Sequence, residues 1–435
     1  MKVAKKFLSL LMVLTMVACM TACGGAGANK KTAEGTAKGM GGDVKVTVTV
    51  ENGKITSVVA KGDNETPGIG LPIIEDMPKL MVENNTINID SVSGATITSE
   101  AVKEAAKQAI EKMGLNVADF SKEVAKSTEA AKNETYDVDV AVVGAGGAGL
   151  SAAITVHDNG KKVIILESQS MVGGNTIRST GGLNATKTVY QDKNKFTEEA
   201  GLLKTLDSAK KKYADNKTIM GLVETVEKQY EEYKKNPSGY FDSVELMELD
   251  TMVGGTGKND FSLVKVLCEG SANAIDWLKG IGASLDNVGA FGGASVKRIH
   301  RPVNAEGKTV SVGSYLVPLF EKAVNQRGIN IVFNTRADKL LMNGGKVVGV
   351  HAVKNDGSEV VVNAKNVILA TGGFGANLDM VVKYDSKLNG FMTTNAPGAQ
   401  GDGILMAQEV GADVVDLDKI QIHPTVEANT AALIT

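Results

Sequence analysis

The chain has 435 residues, 47 basic and 50 acidic side chains for a formal charge of −3, and 43% hydrophobic residues. That length exceeds one small core and sets an expectation of two or three domains, while the missing basic surplus argues against nucleic acid as a partner. Forty-nine glycines against eight prolines and one tryptophan suit an α/β protein with many tight strand-to-helix turns and exclude a collagen-like or disordered chain.

Lys2, Lys5 and Lys6 form a basic start, Phe7 to Ala18 is an apolar run, and Met20-Thr21-Ala22 offers small residues before Cys23. Residues 1–22 read as an export signal. The arrangement resembles a bacterial lipoprotein signal, which implies acylation at Cys23 rather than Cys19; an ordinary cleaved signal or an uncleaved anchor is the alternative. The body is therefore expected outside the cytoplasm, on a membrane-anchored bacterial lipoprotein. Cys268 is the only cysteine of that body, so no internal disulfide can form and a buried, inert thiol is expected.

Residues 23–41 hold almost no large apolar side chain and are expected to be a tether. Val44 to Val50 alternates as a strand does, Asn52-Gly53 supplies a hairpin turn, and Ile55 to Ala60 returns. Ser99 to Met113 carries apolar residues at helical spacing. Residues 42–115 thus form a small α+β domain, 116–135 a second linker, and 136–420 a large domain. It opens with a strand from Val138 to Val143, a helix to about His157 and a strand from Lys162 to Leu166, a βαβ unit. Residues 196–236 are charged and helix-like, and read as a solvated face. Ile329 to Val361 has the turns of a β-meander at Asn343-Gly344-Gly345 and Asn355-Asp356-Gly357.

Gly144, Gly146 and Gly149 give the G-x-G-x-x-G spacing between that strand and that helix. The first glycine permits the turn, the second lets backbone approach a pyrophosphate, and the third lets helix pack on sheet. Glu167 closes the second strand 18 residues later, where a carboxylate can accept both ribose hydroxyls of an adenosine. A dinucleotide follows from this context, but NAD and FAD share the loop.

The choice comes from a resemblance. Gly173-Gly174-Asn175-Thr176 and Ser179-Thr180-Gly181-Gly182-Leu183-Asn184-Ala185 resemble the second flavin loop of the fumarate reductase and succinate dehydrogenase flavoproteins. Gly293-Ala294-Ser295, His300-Arg301-Pro302, Ala370 to Gly375, Gly401-Asp402-Gly403 and His423-Pro424-Thr425 match the same family in order. The resemblance implies FAD, contacted by Ala148, Glu167, Asn175, Thr176, Thr180, Gly181, Ala337 and Asp402. It also implies that His423 and Thr435 bind a substrate carboxylate, with Gly181 a backbone contact near the flavin ring. No metal is expected.

Asp90-Ser91-Val92-Ser93-Gly94-Ala95-Thr96 resembles the flavinylation motif of exported FMN-binding domains, which implies FMN held covalently on Thr96 by a flavin transferase. A Ser/Thr turn capping the following helix is the plainer reading. The expected fold class is α/β: a small α+β FMN-binding domain followed by a Rossmann-type FAD-binding domain, incomplete because the capping domain is missing. By the resemblance a Glu, an Arg and a cap bearing the proton-donating arginine would follow Thr435, so 421–435 is expected to be the start of a truncated cap and the proton donor to lie outside the chain. The expected function is an extracytoplasmic, flavin-dependent reductase of the C=C bond of an unsaturated carboxylic acid, of the fumarate-to-succinate type. Electrons would pass from a membrane donor through FMN to FAD. A urocanate or other enoate reductase, an oxidase or dehydrogenase on the same fold, a flavin electron carrier and an inactive fragment are the alternatives.

Overall fold

The computed structural model describes residues 29–427 except 67, 93, 125–131 and 292. The signal, Cys23 and Thr435 lie outside the described residues, as do parts of both expected linkers. Contacts divide the chain into two compact units, Met1–Glu65 with Ile73–Ser91 and Ile97–Lys126, and Thr66–Pro72 with Val92–Thr96 and Ser127–Thr435.

In the first unit three antiparallel strands, β1 (Lys30–Lys38), β2 (Asp43–Glu51) and β3 (Lys54–Lys61), form one sheet. Alternation in β2 buries Val44, Val46, Val48 and Val50 on one face. Between β2 and β3, Asn52 and Gly53 both take positive φ, 53° and 78°, as a two-residue hairpin turn requires.

The tether expected over residues 23–41 does not hold for Lys30–Lys38, which is a full strand paired residue for residue with β2. It was illegible by composition because its contribution is backbone hydrogen bonding and close approach, not apolar side chains. A Cβ on Gly35 would lie 1.9 Å from the Ala105 carbonyl oxygen, so glycine is what lets a helix lie against β1.

Helix α1 (Gly70–Glu83) was not foreseen, since Pro72 and Pro78 interrupt its pattern. It holds because Ile73, Ile74, Met77 and Met81 fall on one face and are buried. Helix α2 (Thr96–Lys112) presents Ala101, Val102, Ala105, Ala106, Ala109 and Ile110 to the core, and these short side chains allow the approach to Gly35.

The second unit is built on β4 (Glu134–Val143), α3 (Gly147–Asp158) and β5 (Val163–Leu166). Strand β6 (Leu183–Asn184) leads to four helices, α4 (Glu199–Lys212), α5 (Lys217–Lys235), α6 (Val244–Gly254) and α7 (Phe261–Gly280). Residues 196–236 are thus more than a solvated face: Leu202, Leu206, Ile219, Val223, Val226 and Tyr230 share a helical core with Leu246, Leu249 and Cys268. Burial pushes the Cys268 thiol up to about 11, which keeps it inert at neutral pH.

Strands β7 (Asn287–Gly289) and β8 (Ile299–Arg301) join β6 in a small sheet, and α8 (Val312–Gln326) returns to cover the large one. Strands β9 (Asn330–Val332), β10 (Thr335–Asn343), β11 (Lys346–Lys354) and β12 (Glu359–Leu369) complete a six-stranded sheet ordered β10-β11-β12-β4-β5-β9. The expected meander is β10 to β12, antiparallel, and β12, β4, β5 and β9 run parallel. Val140, Val142 and Ile165 face α3 and α8, while Ala141, Val143, Ile164 and Leu166 face the meander side, so the central strands are apolar on both faces. Two short helices follow, α9 (Leu378–Tyr384) and α10 (Asp402–Glu409).

The fold is α/β as expected, with the βαβ opening in place. Among the described residues no helix is long and apolar enough to cross a membrane.

Candidate functional site

A cavity of about 440 Å³ opens where β4, β5 and β12 end, lined by Val143, Leu166 and Leu369 at the three strand termini. Ligands of open α/β sheets bind outside the carboxyl ends of the strands, where loops diverge. The glycine loop forms one wall. Gly144 takes φ +103°, and a Cβ there would lie 2.5 Å from the Ala370 carbonyl oxygen at the end of β12. Gly146 precedes α3 and lines the cavity with Gly147 and Ala148, so the positive end of the helix dipole faces the cavity, with the Gly147 N–H taken by Thr176 Oγ1. Gly149 does not line the cavity; a Cβ there would come within 1.8 Å of the Gly144 carbonyl oxygen, which is the helix-packing role its position implied.

Glu167, at the end of β5, is 7% exposed and accepts from the backbone N–H of Ala145 at 2.6 Å and of Gln169 at 2.8 Å. Burial raises its pKa above the ordinary carboxylate range, against the pull of these two donors. Its chain neighbours Ser168 and Gln169, unforeseen from sequence, also line the cavity.

The second loop is tied to the first. Gly173 N–H donates to the Ala145 carbonyl at 2.8 Å, and Gly147 N–H donates to Thr176 Oγ1 at 3.0 Å. Asn175 accepts from the Ala396 N–H and donates to Asn395 Oδ1, both at 2.6 Å, which pins a third segment, 393–399, over the cavity. Reading the sequence missed Asn395 and Ala396, because only a long-range hydrogen bond marks them.

Of the expected FAD contacts, Gly144, Gly146, Ala148, Glu167, Asn175, Thr176, Ala337 and Asp402 line this one cavity. Gly181 lines a second cavity of about 950 Å³, walled by Trp277, Leu316 and Phe320. Ala148 and Thr176 border both. Thr180 lines neither. Asp402 begins α10 and is engaged by Arg336, whose Nε and Nη2 donate to its two oxygens at 2.8 and 2.6 Å. Arg336 was missed, since nothing marks an arginine beside Ala337 as functional.

The segment bearing His300 is held from below. Arg298, 3% exposed, forms a buried ion pair with Asp242 at 2.7 Å and also engages Asp250. His300 is fully buried; its Nδ1 lies 2.7 Å from the Arg298 carbonyl and must donate, so Nε2 accepts from the Thr188 hydroxyl at 2.6 Å. Burial lowers its pKa. His300 pairs with Leu183 across β6 and β8, which fixes the loop that contains Gly181.

His423 is exposed, with Nδ1 2.8 Å from the Thr425 carbonyl, and lines neither cavity. Thr96 is exposed at the first residue of α2, and two residues on Thr98 donates to the buried Glu65 at 2.6 Å. Among the described residues no group of three or more His, Cys, Asp or Glu side chains is placed to hold a metal.

The cavity fits FAD: a glycine turn tight against backbone at Gly144 and Gly149 and open at Gly146, a helix N-terminus facing the cavity for the pyrophosphate, and a buried carboxylate one strand away for the ribose. The family model described as FAD binding domain matches residues 139–241 and 233–435, and the model described as FMN-binding domain matches 39–111. NADH:fumarate oxidoreductase of Klebsiella pneumoniae is 36% identical over 361 residues, covering 83% of this chain and 33% of that protein. Urocanate reductase of Eggerthella lenta is 33% identical over 416 residues, covering 94% of this chain and 61% of that protein. A solved flavocytochrome c3 fumarate reductase in an open conformation superposes with a TM-score of 0.56 at 31% identity, over 74% of this chain and 50% of that one. The chain therefore spans between a third and about three-fifths of the relatives it matches.

Proposed function

The chain belongs to the FAD-dependent fumarate and urocanate reductase family with an N-terminal FMN-binding domain, and from that premise we propose that it serves the reduction of the C=C bond of an α,β-unsaturated acid. Its cofactors are FAD and FMN. The observation that carries the proposal is the single cavity in which the glycine loop, Glu167, Asn175, Ala337 and Asp402 converge, in a chain that also carries an FMN-binding domain.

FAD bound there and reduced by two electrons would supply the hydride for the substrate's β-carbon. What this chain contributes is placement. The N-terminus of α3 carries the pyrophosphate charge, Glu167 orients the ribose, and the two stitched loops keep the cofactor from tilting. His423, Thr435 and the Gly181 backbone are the proposed substrate contacts; a histidine can donate hydrogen bonds to a carboxylate and add charge when protonated.

The electron path runs to FAD from FMN esterified through its phosphate to the Thr96 hydroxyl, by a transferase that cleaves the pyrophosphate of a flavin dinucleotide and releases the nucleoside monophosphate. Support for Thr96 comes from its motif and from its exposure at the head of α2. Export and acylation at Cys23 complete the proposal, supported by the basic, apolar and small-residue succession of the first 23 residues. A membrane donor then fits that location.

The test is anaerobic oxidation of reduced methyl viologen, with NADH in a parallel arm, by the flavin-loaded protein in the presence of fumarate, urocanate or cinnamate. Turnover with one of the three assigns the substrate class, and turnover with none would sink the reductase reading.

A further inference from the structure

Two carboxylates, Glu167 and Asp402, and a single basic side chain, Arg336, line the described cavity. A dinucleotide brings a doubly charged pyrophosphate into the same space, so its charge adds to theirs. The glycine loop answers part of this with the dipole of α3. Glu167 is satisfied by two backbone N–H groups. Among the described residues the side chain that answers Asp402 is Arg336, which donates to both carboxylate oxygens through Nε and Nη2 at 2.8 and 2.6 Å. Arg336 is itself largely exposed, whereas the Asp402 side chain is 18% exposed.

Resting on the FAD assignment of this cavity, we propose that Arg336 is a positioning residue for cofactor binding that acts through Asp402, fixing its rotamer and neutralising its charge against the pyrophosphate. The geometry suits that role. A fork that donates one bond to each oxygen leaves each oxygen a further lone pair, so Asp402 can still accept from a cofactor hydroxyl or amine. Asp402 sits in the first turn of α10 after Gly401 at φ +85°, so its backbone direction is set and only its side chain needs holding. Arg336 immediately precedes Ala337 on β10, which places the ion pair beside the other expected cofactor contact.

A double-mutant cycle tests this, with FAD affinity of the FAD-stripped full chain read by fluorescence titration for wild type, Arg336→Gln, Asp402→Asn and the pair. Arg336→Gln should weaken FAD about fivefold, the loss of one partly exposed, well-formed ion pair. In the Asp402→Asn background the same change should have no further effect, because the charge it answers is gone. Arg336→Lys, which keeps the charge without the fork, should fall between wild type and Arg336→Gln and also controls for folding. An undiminished Arg336→Gln loss in the Asp402→Asn background would overturn the proposal, since the arginine would then act on the cofactor directly. Equal affinity of wild type and Arg336→Gln would overturn it as well. A wild-type chain that binds no FAD would instead remove the cofactor assignment beneath it.

Discussion

The backbone N–H of Ala145 donates to the Glu167 carboxylate at 2.6 Å, so the glycine turn after β4 and the acid that ends β5 are one hydrogen-bonded unit. Removing the acceptor acts on both at once. Glu167→Gln leaves an amide where two N–H donors and a ribose expect a carboxylate, and FAD should bind about ten- to a hundredfold more weakly. Equilibrium dialysis of the FAD-stripped variant against FAD measures it, and wild-type affinity would show that Glu167 does not read the ribose.

Gly35→Ala probes the strand that composition concealed. Its Cβ would meet the Ala105 carbonyl at 1.9 Å, where backbone cannot yield cheaply, so the substitution should destabilise the first unit by about 2 kcal/mol or more. Denaturant unfolding reads the loss. An unchanged midpoint would mean that β1 does not pack against α2.

Thr96→Ala removes the only atom through which the FMN phosphate would be esterified at this position. Mass spectrometry of protein co-expressed with a flavin transferase should show an FMN adduct in wild type and in Thr96→Ser, and none in Thr96→Ala. An adduct that persists in Thr96→Ala places the linkage elsewhere.

His300 gives a pH signature. Burial lowers its pKa from the ordinary 6.5, so between that value and its folded pKa the unfolded chain binds more protons than the folded one. Its contribution to stability is therefore complete above pH 6.5 and is lost as pH falls from there through the folded pKa. In His300→Gln the stability lost on acidification below pH 6.5 should be smaller than in wild type; an equal loss in both would assign the acid sensitivity to other groups.

What the sequence made legible was local. Strand, glycine turn, helix, strand and Glu167 lie within residues 134–167 and follow from period and spacing alone, and Asn52-Gly53 marks its hairpin for the same reason. What stayed hidden depends on distant partners. Lys30–Lys38 is a strand because β2 offers a ladder, α1 survives Pro78 because its apolar face has a core to meet, and the helices within 196–236 bury Leu202 and Val223 in a cluster their charged exteriors mask. The site divides the same way. Motif order placed Asn175, Ala337 and Asp402, whereas Asn395, Ala396 and Arg336 emerge only from hydrogen bonds that span as many as 221 residues.

Two flavins are held in two ways, FMN covalently and FAD not, and acid precipitation of the purified, flavinylated protein reads both together. FAD should be released to the supernatant in about equal amount to FMN retained on the peptide that contains Thr96, and Glu167→Gln should lower the FAD alone. Protein that retains FMN but never yields FAD would contradict the assignment of the cavity between Gly144 and Glu167.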